Sequence, residues 1–317
     1  MQVKRLFAIA FFFLTLMIFL LLAEPAKTKI IADAKFTQTS PSIPQKTTKR
    51  IAQNINFSSE INQFAPVQGC ENQPPANPPE PSLTAALTSN PITLERFRKP
   101  LPTSAANSTS SQKSITDNPR EVIALAAASN YGERYRQDLS GKPVNNPPII
   151  VLHESVGSAD SVINFFQEFH TDEDNQASYH TLIAVEGTII YFVPPDKRAF
   201  GAGDSMFVSS LGEEAIQTNP RYPRSVNNFA YHISLETPED GMHDGYTHSG
   251  YTEVQYQSLA WLVAKTDVPL ERVTTHRIVD RSGSRIDPRS FNFNLFQKLL
   301  SKYPRIKEIS IGCPSAL

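Results

Sequence analysis

Two histidines and one carboxylate carry the first chemical signal in the sequence. His153 ends the run Pro148-Ile149-Ile150-Val151-Leu152, and His276 ends the shorter run Val273-Thr274-Thr275. An unbroken β-branched and leucine run reads as a strand buried on both faces. Polar groups at the end of such a strand stand where α/β sheets open into ligand crevices. Asp287 follows His276 by a short loop. If the two strands lie side by side, two neutral imidazoles and a carboxylate make a three-ligand zinc site with the fourth position open for water. A metal held in this way lowers the pKa of water and polarises a carbonyl. The chain has 7 histidines. Of the others, His180 reads as packed beside the site, and His170, His243 and His248 read as solvated loop residues.

The elements that must position these groups are legible in outline. Ser178 to Val185 reads as a strand, Glu186-Gly187 as a turn, and Thr188 to Val193 as the returning strand of a hairpin. Phe229 to Glu236 reads as a further strand. Alternation puts Ala230, His232, Ser234 and Glu236 on one face and Phe229, Tyr231, Ile233 and Leu235 on the other. Helix starts are signalled by Asn118-Pro119-Arg120-Glu121, by Ser158 and by the capping box Thr252-Glu253-Val254-Gln255. Val162, Phe165, Phe166 and Phe169 form the apolar stripe of the second helix. A closing helix runs from Asn294 to Lys302 with Leu295, Leu299 and Leu300 inward. Asp196 to Pro223 reads as a long irregular loop. Strands interleaved with helices give an α/β domain over residues 118–317.

The rest of the 317 residues is of a different kind. Lys4 and Arg5 precede an apolar run, Leu6 to Ala23, of about the length that spans a bilayer. Residues 1–23 are read as a signal peptide or a membrane anchor through 6–23, with cleavage left open. Residues 24–117 are rich in Ser, Thr, Pro, Asn and Gln and read as a disordered spacer, from which short apolar pieces such as Ile92 to Phe97 could dock on the domain. Export to the periplasm or cell envelope is the expectation. Cys70 and Cys313 lack metal spacing and leave two alternatives, one disulfide or two free thiols. A net charge of -1 gives no basic surface for nucleic acid. A monomer is expected.

The motifs resemble those of the zinc-dependent N-acetylmuramoyl-L-alanine amidases of the type-2 amidase, phage T7 lysozyme and peptidoglycan recognition protein superfamily. They stand in order: Ile150-Val151-Leu152-His153; Ser178-Tyr179-His180-Thr181-Leu182-Ile183 with Glu186-Gly187; Arg198-Ala199-Phe200-Gly201-Ala202-Gly203-Asp204-Ser205; Asn227 to Glu236; Thr275-His276-Arg277; and Arg285-Ile286-Asp287-Pro288. The resemblance implies a central, mostly mixed β-sheet flanked by helices and a peptidoglycan (muropeptide) substrate. It implies zinc on His153, His276 and Asp287, with Tyr179 as a catalytic residue beside the metal. Arg285 falls where the family keeps a cation, which would stabilise an oxyanion. The chain departs from the pattern at three places. Ser234 stands where the family has its general-base Glu, His232 where it has Gly, and Phe200-Gly201 where it has Trp-His. Glu236, Tyr179 and His232 are the candidates for the missing base. The function implied is hydrolysis of the amide between N-acetylmuramic acid and L-alanine; the alternative is a peptidoglycan-binding module that keeps its zinc without catalysis.

Overall fold

The run that ends in His153 is a strand, and all six of its residues are buried. The computed structural model describes residues 70–78, 92–100 and 118–313. The signal or anchor over 1–23 and most of the spacer lie outside them. In chain order the strands are β1 (Cys70–Glu71), β2 (Glu121–Ile123), β3 (Tyr131–Tyr135), β4 (Ile149–Glu154), β5 (Thr181–Ile183) and β6 (Ile189–Tyr191). They continue with β7 (Lys197–Ala199), β8 (Phe207–Ser209), β9 (Gly212–Glu214), β10 (Ala230–Leu235) and β11 (Val273–Thr275). The α-helices are α1 (Ala159–Gln167), α2 (Glu253–Ala264), α3 (His276–Val279) and α4 (Phe293–Leu300).

Six strands make the central sheet in the order β11-β4-β10-β5-β6-β2. The first four are mutually parallel, β6 returns antiparallel to β5, and β2 runs parallel to β6. The sheet is therefore mixed, with helices on both faces. Thr275 pairs with Leu152, so β11 and β4 do bring the two histidines side by side. The β5–β6 hairpin closes as expected, with Gly187 at φ +87 in the turn, a backbone region open to glycine.

Period-two alternation decides which face each side chain meets. Ile150 and Leu152 of β4, with Tyr231, Ile233 and Leu235 of β10, enter the core that α2 and α4 cover. Each such Leu or Ile, fully buried, contributes about 1.5–3 kcal/mol. Ile149, Val151 and Ala230 face the other way, and so do His153, His232 and Ser234 further along the same strands. Two local signals hold. Ser158 accepts the Ser161 N–H at the start of α1, and Thr252 and Gln255 form the reciprocal capping box of α2.

Four expectations need correcting. Residues 121–123 form the edge strand β2, not a helix. The Ile189 N–H donates to Arg120 O and the Ala124 N–H to Tyr191 O, so pairing with β6 outweighs the capping signal. Asn118 accepts from Trp261 Nε1 and caps nothing. In α1 only Val162 and Phe166 are buried; the helix ends at Gln167, short of Phe169, and Phe165 is exposed with its ring tilted against His170. The loop after Asp196 contains β7, β8 and β9.

The last correction concerns the spacer: two of its pieces, 70–78 and 92–100, are packed on the domain. Cys70 is bonded to Cys313, which decides between the two thiol alternatives, and β1 pairs with β3. Phe97 is buried in the main core against Tyr191. Arg98 bridges Glu121 and Glu308 at 2.6 and 2.7 Å, and Arg96 pairs with Asp196. The apolar piece Ile92 to Phe97 thus docks on the domain as the sequence allowed, although the average composition of the stretch does not show it. Among the described residues no helix is long and apolar enough to cross a membrane.

Candidate metal centre

His153 leaves β4 fully buried, His276 opens α3, and Asp287 ends the loop beyond it. The structure brings the three together: one ligand atom from each lies within 4.8 Å of the others. His276 Nδ1 is 3.0 Å from Asp287 Oδ1. His153 Nδ1 approaches Asp287 Oδ2 only to 3.4 Å and is left buried without a hydrogen-bond partner. A buried imidazole nitrogen with no partner, aimed at a carboxylate and a second imidazole, is the donor set a zinc ion takes. Protonation fits as well. Burial, with His276 nearby, pushes the His153 pKa down to about 4, so the ring is neutral. Burial works to raise Asp287, but the two imidazoles of His153 and His276 beside it outweigh burial and hold the carboxyl far below its usual range.

The cluster opens into a cleft of about 540 Å³, lined among others by Tyr179, Arg198, Phe200, His276, Arg285 and Asp287. The Tyr179 ring stacks on His153 with centroids 4.5 Å apart. Burial first, then the charge of Asp287, raises its phenol pKa well above the usual value. Arg198 donates to Glu133 O and Thr218 Oγ1 and lies over Phe200, so it braces the cleft wall. Arg285 is exposed at the cleft edge.

Glu236, a candidate base, is not brought to the cluster. The chain leaves β10 after Leu235, and both carboxylate oxygens are taken by backbone: the Ala159 N–H donates at 2.7 Å and the Val185 N–H at 2.8 Å. It ties the start of α1 to the β5–β6 turn and does not line the cleft. His248, read as a solvated loop residue, has a fully buried side chain 3.3 Å from Glu154.

The sequence reading missed Arg289. Its backbone N–H and guanidinium both donate to Glu154, and the guanidinium also reaches the carbonyls of Gly241, His243 and Gly245. Glu154 follows one metal-site residue and Arg289 lies two beyond another, so this ion pair sets the spacing of His153 and Asp287. Its members are 135 positions apart, and no local pattern joins them. Removing one charge strands the other away from water. Glu154→Gln is expected to cost about 3–5 kcal/mol, read as a melting temperature lower by on the order of 10 °C. A melt within two degrees of the parent would refute the structural role.

The sequence profile of the N-acetylmuramoyl-L-alanine amidases matches residues 143–290. No curated protein matches the chain. Among solved structures, a selenomethionine derivative of AmpD is 23% identical, covering 58% of this chain and 96% of that one, with TM-score 0.40. The AmpD of Citrobacter freundii is 22% identical, covering 58% and 91%, with TM-score 0.36. The N-acetylmuramoyl-L-alanine amidase LysC of Clostridium intestinale is 18% identical, covering 58% and 98%, with TM-score 0.36. The profile spans His153, Tyr179, His276 and Asp287 in one stretch, so residues 143–290 carry a domain of the type-2 amidase superfamily.

Proposed function

We propose that this protein hydrolyses the amide bond between the lactyl group of N-acetylmuramic acid and L-alanine in peptidoglycan, with zinc held by His153, His276 and Asp287. The observation that carries the reading is the convergence of these donor atoms at the floor of a substrate-sized cleft in an amidase-family domain. When bound, the metal supplies Lewis acidity toward the carbonyl and lowers the pKa of water. The chain's own groups do the rest. Tyr179, kept protonated, is a hydrogen-bond donor beside His153 and orients or steadies the reacting oxygen. Arg285 brings a positive charge to the cleft edge, toward the oxygen on which negative charge grows.

The rival reading, a peptidoglycan-binding module that retains zinc without catalysis, draws on one observation: Ser234 stands at the usual base position and Glu236 is engaged by backbone amides. One experiment separates the two. Purified protein is assayed for bound zinc and for release of L-alanine N-termini from purified peptidoglycan. Zinc with no release favours the binding module. In the active protein, Tyr179→Phe is expected to lower kcat by about 10²-fold with zinc retained; unchanged kcat would remove the phenol from the chemistry.

The setting is part of the same proposal. The apolar segment 6–23 would export or anchor the protein so that the domain acts in the periplasm or cell envelope, and the Cys70–Cys313 bond suits an oxidising compartment.

A further inference from the structure

Behind His153 lies a second imidazole that the proposed reaction does not use. His232 of β10 is fully buried, and its Nδ1 is 2.9 Å from His153 Nε2. Its backbone N–H donates to His180 Nδ1 at 2.9 Å, and His180 Nε2 faces Arg134 Nη2 at 3.1 Å. His232 Nε2 is buried with no partner. The ring occupies the space that residue 201 leaves by having no side chain: a Cβ on Gly201 would come within 2.6 Å of it. Two departures from the family pattern, the glycine in the loop and the imidazole on the strand, therefore touch each other.

We propose that His232 is a positioning residue for His153, accepting a hydrogen bond from His153 Nε2 so that Nδ1 is presented to the metal, and that Gly201 is the space this ring requires. The inference rests on the metal reading above. A neutral imidazole that offers Nδ1 to a cation carries its proton on Nε2. That N–H has His232 Nδ1 within reach, which can accept only if the His232 proton sits on its own Nε2. Without metal the opposite arrangement is favoured by charge, since it turns an N–H and not a lone pair toward the Asp287 carboxylate. His153 Nδ1–H then faces Asp287, and His232 Nδ1–H donates to His153 Nε2. Metal uptake thus moves a proton from one nitrogen to the other on both rings. A carbonyl or carboxylate behind a metal-binding histidine only accepts; this imidazole changes role. Groups that hydrogen-bond a metal-binding histidine typically set affinity by about 10–100-fold.

The test is zinc affinity of the purified protein by chelator competition, with melting of the metal-free form as the folding control. His232→Leu fills the space without an acceptor and should weaken zinc by about 10–100-fold at unchanged metal-free melting. His232→Gln, whose amide oxygen accepts, should recover most of the loss. Gly201→Ala displaces the ring and should weaken zinc in the parent but add nothing in His232→Leu. His232→Leu that binds zinc as tightly as the parent overturns the inference and leaves the amidase reading standing. A parent that takes up no zinc overturns the metal reading and this inference with it. Should His232→Leu not fold, nitrogen-15 spectra of the parent's rings decide: a His232 tautomer unchanged by zinc overturns the proposal.

Discussion

His276→Ala is expected to empty the metal site and to cut release of L-alanine N-termini by at least about 10³-fold, the rate equivalent of ~4 kcal/mol of lost transition-state stabilisation. The size follows from the ligand count. The site has three protein donors, and two hold zinc poorly. His276 is the cleaner of the two histidines to remove. It stands at the first residue of a short helix, lines the cleft, and pairs through Nδ1 with Asp287. His153→Ala should lose the metal equally. It also deletes a ring at 0% exposure that stacks on Tyr179 and touches both His232 and His276, so stability falls with it. Metal analysis and melting of the metal-free form separate the two effects. Stoichiometric zinc retained by His276→Ala would overturn the ligand assignment.

The His153–His276–Asp287 cluster was legible because each histidine ends a run rich in β-branched residues, and parallel neighbours in a buried sheet put such ends together. The strand faces were legible by alternation, and the starts of α1 and α2 by capping, since each is a local rule acting over three or four residues. The losses fall where the deciding contact is distant. Glu236 obeys its alternation until the strand stops one residue short of it, and two backbone amides from other elements then claim it. The edge strand β2 carries a good helix-start signal that loses to β6, a partner the local sequence does not display. The place of His232 depends on a missing side chain at Gly201, a steric relation visible only once the loop is folded over β10.

A chain shortened to begin at Asn118 is expected not to fold, although composition would place the domain boundary there. Three contributions go at once. Phe97 is 1% exposed in the main core, and losing a buried phenylalanine costs about 3–5 kcal/mol. The Cys70–Cys313 bond goes with it, at about 2–5 kcal/mol for a native disulfide. Arg98 leaves Glu121 and Glu308 with one partner fewer in a part-buried network. The sum reaches the ~5–15 kcal/mol by which whole domains are stable. A chain beginning at Phe64, the first residue of the compact unit that ends at Leu317, keeps every one of these contacts and should melt with the full-length protein. Phe97→Ala alone, in the full chain, should lower the melting temperature by on the order of 10 °C. Thermal melts of the three proteins, with and without a thiol reductant, apportion the loss between the phenylalanine and the disulfide. If the chain beginning at Asn118 is soluble and melts cooperatively within a few degrees of the parent, the 92–100 segment is a passenger on the domain and its buried phenylalanine adds nothing to the core.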